Sequence, residues 1–303
     1  MKKKIILDCD PGHDDAVAIM LAGINEDIEL LGICVSAGNQ TIEKTSLNAL
    51  NVTQYLGIDV PIAIGSPFPL VKEPMICEEI HGKSGLDGFI FPDYPRNFLK
   101  EHSVDFLINT LNKNDKVTLV VTGPMTNVAM ALRKEPSIKD NIEQIVIMGG
   151  STTSGNITQE AEFNIYVDPE AAFIVFNSGI PLRMIGLNVT RRLLVKDEIL
   201  NRFIPINNKA SKLFVDLMKV FNENQRKFFG LEAGPLHDPA TIVSLIDPTV
   251  FTFDNMDVEI DISHSETYGK TICKYSKNKN CEVAVDVDIN KFWNVIYQHI
   301  IKC

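Results

Sequence analysis

Apolar positions along the chain fall into short runs of strand length, separated by segments with helical spacing. Runs at 4–7, 28–35, 60–64, 117–121, 145–148 and 182–187 read as strands. Helical segments fit between them at 14–23, 41–56, 103–111, 125–132 and 169–177, several opened by Asp, Thr, Ser or Pro at the expected start positions. Strands alternating with helices predict a mostly parallel, doubly wound α/β sheet of Rossmann-like form. Residues 208–229 predict a long helix or helix pair carrying Phe214, Phe221, Phe228 and Phe229. The stretch 258–287 predicts late strands with turns at Gly269 and at 277–280, and Phe292, Trp293, Val295, Ile296 and Ile300 predict a closing amphipathic helix. No linker or repeat interrupts the pattern, so residues 1–303 are expected to form a single domain.

Against this regular background one segment stands out. Asp8, Asp10, Asp14 and Asp15 crowd into eight residues at the end of the first predicted strand. Like charges this close raise one another's pKa unless a cation intervenes, and His13 is the only compensation nearby in sequence. Carboxylate oxygens suit a hard divalent ion, Ca²⁺ or Mg²⁺, better than zinc. Pro11-Gly12 supplies a turn, which places Asp14 and Asp15 in the first turn of the next helix. Capping that helix accounts for neither Asp8 nor Asp10.

Bulk properties narrow the partners. The chain has 303 residues, 45% of them hydrophobic, enough to bury a large core. A net charge of −10 disfavours nucleic acid or an anionic membrane surface as a partner. The apolar run behind Met1-Lys2-Lys3-Lys4 is far too short for a signal peptide, and no later stretch approaches a membrane span, so a cytoplasmic protein is expected. Its six cysteines form no C-x-x-C pair and are expected to stay reduced. Cys9, the one inside the acidic segment, reads as filler at a buried strand end.

In an open parallel sheet the ligand site lies beyond the carboxyl ends of the strands. The polar residues at those ends form a coherent set: the aspartates after the first strand, Ser36-Ala37-Gly38-Asn39 after the second, then Thr122-Gly123-Pro124, then Gly149-Gly150 followed by Asn156, Glu162 and Asn164. His237-Asp238-Pro239 precedes a further apolar helix. Locally, Asp238 also reads as a helix N-cap before an N1 proline, and Asn39 as a turn residue after Gly38.

These residues, with Asp8-x-Asp10-Pro11-Gly12-x-Asp14-Asp15-Ala16, Thr122-Gly123-Pro124-x-Thr126-Asn127, Met148-Gly149-Gly150, Ala161-Glu162-Phe163-Asn164 and His237-Asp238-Pro239, resemble the inosine/uridine-preferring nucleoside hydrolases from the first strand to the final helix. Pro11-Gly12-His13-Asp14-Asp15, residues 36–41 and His81-Gly82-x-Ser84-Gly85-Leu86-Asp87-Gly88 are most similar to the bacterial pyrimidine-specific ribonucleoside hydrolases of that family. The resemblance implies a Ca²⁺ held by Asp10, Asp15, Asp238 and the main-chain carbonyl of Thr122, its shell completed by water and the ribose 2′- and 3′-hydroxyls. It further implies that Asp14, Asn39, Asn156, Glu162 and Asn164 grip the ribose, the acids taking hydroxyl protons and the Asn amides serving oxygen lone pairs, with Met148 lining the sugar pocket. The resemblance also places Phe221, Gln225 and Phe229 in a mobile segment covering the base; an ordinary amphipathic helix face is the alternative. Family members are commonly homodimers or homotetramers.

Cleaving an N-glycosidic bond creates an oxocarbenium-like ribosyl centre that water must attack. Asp10 is the expected general base, and nearby carboxylates favour the developing positive charge. His237, His81 and Gln225 are the candidates for relieving charge on the departing base. Two departures stand out: Phe229 replaces a tyrosine found in related pyrimidine-preferring members, and Asn188 replaces an aspartate. Two other readings stay open. Asp8-x-Asp10 also opens haloacid-dehalogenase-type phosphatases, though Asp14 and Asp15 would repel a phosphate, and a nucleoside-binding protein without turnover would not need Asp10.

Overall fold

In the computed structural model, which describes residues 2–95 and 97–303, nine strands form one sheet in the order β3-β2-β1-β4-β5-β6-β9-β7-β8. The strands are β1 Lys3–Cys9, β2 Ile28–Val35, β3 Ile62–Ile64, β4 Val117–Val121, β5 Ile142–Met148, β6 Leu182–Ile185, β7 Phe251–Ile260, β8 Thr271–Lys274 and β9 Cys281–Val287. The pairs from β3 to β9 are parallel, whereas β7 runs antiparallel to both its neighbours. The expected mostly parallel α/β sheet is therefore present. Its first six strands follow the order 3-2-1-4-5-6, and the direction of winding reverses between β1 and β4.

Alternation within the strands divides the core between the two faces. Ile5, Leu7 and Cys9 of β1 pack on one side with α1 (His13–Ile24), α2 (Ile42–Leu56), α10 (Lys209–Phe229), α11 (Pro239–Ile246) and α12 (Ile289–Ile300). Ile6 packs on the other side with α4 (Ser103–Leu111), α5 (Thr126–Lys134) and α7 (Pro169–Phe176). Between these lie four short helices, α3 (Glu78–His81), α6 (Phe163–Val167), α8 (Leu187–Thr190) and α9 (Asp197–Phe203). Local chemistry sets the ends. The Asn208 side chain accepts from Ser211 N–H at 2.8 Å while Ser211 Oγ accepts from Asn208 N–H, starting α10 as one continuous helix, and Gly230 ends it at φ 66°. Cys9 is buried at the strand end, as expected.

Several element boundaries shift, and β5 begins at Ile142 rather than at 145. Only Ile62–Ile64 of the third run pairs, β6 stops at Ile185 because Gly186 opens α8, and the late strands begin at Phe251 rather than at 258. Among the described residues no helix is long and apolar enough to cross a membrane.

A buried asparagine that sequence reading assigns only to a family motif joins three strand ends. Asn127 Nδ2 donates to Asp8 Oδ1 at 2.8 Å and to the Val35 carbonyl at 3.2 Å, and its Oδ1 accepts from Ser66 N–H at 2.9 Å. Replacing Asn127 with Ala strips partners from buried polar groups on β1, on β2 and after β3. The expected loss is about 1–3 kcal/mol of unfolding free energy, read as a lower urea midpoint; an unchanged midpoint contradicts the stitch.

Candidate active site

The carboxyl ends of β1 and β4 meet at the reversal of winding, and the acidic segment lies there. Asp10, Asp14, Asp15 and Asp238 are all buried. Asp14, Asp15 and Asp238 can each offer an oxygen within 4.8 Å of the others. Asp10 is tied to Asp15 through Asn39, whose Nδ2 donates to the Asp10 carbonyl and to Asp15 Oδ2, each at 3.1 Å. Asp15 also accepts from Gly12 N–H at 3.0 Å and, through Oδ1, from Thr122 Oγ1 at 2.8 Å. Asp238 stands immediately before α11 but makes no capping bond, so its side chain serves the cluster and not the helix.

Electrostatics at this cluster are unfavourable without a cation. Burial, then Asp15, pushes Asp14 up to about 7. Burial with the other carboxylates holds Asp10 and Asp238 well above the usual range. His13 does not compensate, contrary to expectation: burial drives it down to about 4, so it is neutral. One oxygen of Asp10, Oδ2, accepts from Asn39 N–H at 2.7 Å, whereas Oδ1 is buried with no hydrogen-bond partner. The cradle around it is tight. A Cβ at Gly38 would lie 2.1 Å from Asp10 Oδ2, and one at Gly123 2.6 Å from Oδ1. Orphaned, acceptor-only oxygens in a small pocket fit a hard divalent cation.

Among the residues expected to grip a ribose, Glu162 caps α6, accepting from Gly150, Asn164 and Ile165 N–H at 2.9–3.1 Å, and burial raises it to about 6. Asn164 Nδ2 donates to the Thr122 carbonyl at 2.8 Å and to the Met148 carbonyl at 3.1 Å. This corrects the expected division of labour. The amide hydrogens of Asn39 and Asn164 are already committed to protein oxygens, so each offers a ligand only its carbonyl. The cradle is rich in acceptors: it can take protons from hydroxyls but has little to give their lone pairs. Asn156 is exposed, with its Oδ1 accepting from Phe163 N–H at 2.9 Å.

Of the residues expected at the base, His81 is carried by α3 to the start of α1. Its ring lies 5.5 Å from that of His13 and 6.0 Å from that of Phe221, in stacked orientation. Phe221 is therefore core packing and not an uncovered lid face. Gln225 is buried one turn further along α10, and Phe229 at its end is half-exposed and apart from the cluster. His237 Nδ1 lies 2.7 Å from Thr190 Oγ1; burial and then Arg191 lower it to about 4. Asn188 donates to the Ala284 carbonyl at 2.8 Å, a structural tie to β9.

A family model described as inosine-uridine preferring nucleoside hydrolase matches residues 5–294. The chain belongs to this family. Its members depend in general on a metal. This nucleoside-hydrolase chain is 43% identical to the pyrimidine-specific ribonucleoside hydrolase RihB of Escherichia coli, over 97% of the chain and 96% of that protein. It is 42% identical to RihB of Shigella flexneri with the same coverage. Among solved structures, the purine-preferring ribonucleoside hydrolase of Gardnerella vaginalis is similar at 36% identity, with a TM-score of 0.93 over 99% of this chain and 98% of that one.

Sequence reading passed over Arg191 and Thr190 and gave His13 the wrong charge. Arg191 donates to the Ser154 carbonyl and hydroxyl and to the Gly155 carbonyl, fixing the loop before Asn156. Its partners are reached only through the fold, so no local pattern announces it.

The raised carboxylates carry a sign for stability. Unfolded, such groups titrate near 4; folded and metal-free, Asp8 and Asp14 hold protons to about 7 and Glu162 to about 6. The folded chain thus binds more protons than the unfolded one over that window, and stability falls as pH rises. The buried histidines act oppositely, but only below about 6.5, the ordinary histidine value. The metal-free melting temperature is therefore expected to fall from pH 6.5 to 8, and a divalent cation to raise it more at pH 8 than at pH 6. Thermal unfolding with and without Ca²⁺ checks this; equal cation shifts at both pH values contradict it.

Proposed function

We propose that this chain hydrolyses the N-glycosidic bond of ribonucleosides, uridine and cytidine ahead of purine nucleosides, to ribose and free base. One observation carries the reading: a buried cradle made almost wholly of acceptors, including an unpartnered Asp10 oxygen, at the switch point of the sheet. Such a cradle takes protons from a polyol and leaves the polyol's lone pairs to a cation. Asp10, Asp15, Asp238 and the Thr122 carbonyl are the proposed Ca²⁺ ligands, with Asp14, Asn39, Asn156, Glu162, Asn164 and Met148 around the ribose. When bound, the ion balances the carboxylates and makes water in its shell more acidic.

The chain's own residues then divide the work. Asp10 Oδ1 takes the proton of the attacking water as the new C–O bond forms at the anomeric carbon. The C–N bond breaks with its electron pair going to the base. The carboxylates favour the positive charge that builds on the ribosyl ring, a stabilisation preorganised by the buried hydrogen bonds to Asp15 and Glu162. His81 and His237 stand on the base side, where an N–H donor relieves the negative charge of the departing ring, and Gln225 can donate to a pyrimidine oxygen. The phosphatase reading fares worse, because a phosphate would meet buried carboxylates with no buried cationic side chain among them. Pyrimidine preference draws support from RihB, and the 36% identity to a purine-preferring enzyme makes the base the point to measure. Self-association as a homodimer or homotetramer is part of the proposal.

Asp10→Asn keeps an oxygen but removes the base. Its kcat for ribose release is expected to drop roughly 10²- to 10⁴-fold with Ca²⁺ binding retained. A wild-type rate in that variant sinks the mechanism.

Substrate comparison tests the rest. 2′-Deoxyuridine is expected to be up to about 10⁴-fold poorer than uridine, because its missing hydroxyl leaves buried groups unpaired. Uridine is expected to exceed inosine in kcat/KM, and Gln225→Ala to narrow that gap. A wild-type preference for inosine removes the pyrimidine assignment and leaves the hydrolase reading standing.

A further inference from the structure

The hydrogen-bond directions around His81 can be assigned without ambiguity. The backbone N–H of His13 points at His81 Nδ1 from 3.2 Å. A backbone N–H can only donate, so this nitrogen is the acceptor and the proton of the neutral His81 ring resides on Nε2. The other tautomer would set an Nδ1 proton against that N–H and leave the backbone donor unpaired in a buried site. The His13 ring is assigned by the same logic. Its Nε2 lies 2.8 Å from the Asp87 carbonyl, which can only accept, so Nε2 carries the proton and Nδ1 is bare. The two Nδ1 atoms, 3.3 Å apart, thus face each other as lone pairs. That contact holds nothing by itself; the rings keep it only because each is anchored elsewhere.

The anchor of His13 is the loop that begins at His81 itself. Asp87 closes it: its carboxylate accepts from Lys83 N–H and Ser84 N–H at 3.0 Å and from Ser84 Oγ at 2.6 Å. Its carbonyl then receives the His13 ring. A Cβ at Gly12 would lie 2.6 Å from His81 Nδ1, so the imidazole rests directly on the backbone at the start of α1. Phe221 packs against both imidazoles, its ring 5.5 Å from that of His13 and 6.0 Å from that of His81.

We propose that His13 is a positioning residue for His81: through its bond to the Asp87 carbonyl it holds the 81–88 loop against α1 and keeps the His81 Nε2–H directed at the departing base. The inference rests on the reading of His81 as the group that meets the base, and the experiment separates the two.

The test compares two substrates. The base of uridine leaves as a poor anion that needs a hydrogen-bond donor, whereas the nitrophenolate of p-nitrophenyl β-ribofuranoside leaves unaided. His13→Phe keeps the stacked ring and loses the N–H. Its kcat on uridine is expected to fall about tenfold or more, a part of the 10²–10⁴ that acid catalysis supplies, with KM changed less than about threefold. Its kcat on the nitrophenyl riboside is expected to stay within about twofold. His13→Gln, which retains an N–H at similar reach, is expected to recover much of the uridine rate. Asp87→Ala, a change in a partly exposed loop, is expected to show the same selective loss and carries the test if His13→Phe does not fold. Equal losses on both substrates, or no loss on uridine, overturn the proposal. His81→Ala serves as the reference: if it spares uridine, the assignment of His81 falls; if it is selective while the His13 and Asp87 variants are not, the positioning role alone falls.

Discussion

Mutual repulsion among buried carboxylates is the constraint from which the rest of this molecule follows. Asp10, Asp14, Asp15 and Asp238 share a space in which no buried side chain supplies a positive charge, and His13 is kept neutral by its own burial. Isolated, each charge would cost several kcal/mol to bury. The fold spreads that cost over backbone N–H groups, the Thr122 hydroxyl and the Asn39 amide, and leaves the remainder to a cation. The reversal of winding between β1 and β4 supplies a crevice deep enough to bury the set, and the missing side chains at Gly38 and Gly123 supply its width.

The site has two halves of different construction. The residues expected at the sugar come largely from strand ends and the residues after them, where ladder hydrogen bonds define position. Those expected at the base come largely from α3, its following loop and α10, elements packed on the sheet but not part of it. Whole-chain similarity with TM-scores of 0.93 and 0.94 extends to a purine-preferring enzyme and to a plant nucleoside hydrolase. The family thus includes relatives named for purine and for pyrimidine ribonucleosides.

Much of this was legible in the chain itself. Six strand positions, the long α10 and the closing α12 follow from periodicity, and the four clustered aspartates announce a cation site through Coulomb repulsion alone. What stayed hidden depends on partners distant in sequence. Nothing local shows that Asn39 and Asn164 spend their amide hydrogens on protein oxygens, that Asn127 joins Asp8 to the Val35 and Ser66 backbone, or that Phe221 is sealed against two imidazoles. The charge of His13 was misjudged for the same reason: proximity in sequence to four acids says less than depth of burial and the carbonyl of Asp87. The helix-capping alternative for Asp238 could be set aside only by seeing that its side chain makes no capping bond.

Asp238 reaches Asp14 and Asp15 only after α11 has packed on α1, and these helices lie far apart in the chain. A ribosome delivering the N-terminal two-thirds would expose the acidic turn without its last carboxylate. The cation pocket is therefore absent from incomplete chains and from any partly folded form in which the two ends have not met. Since a ligand that binds only the native form draws the equilibrium toward it, a bound metal favours the form in which the two ends have met.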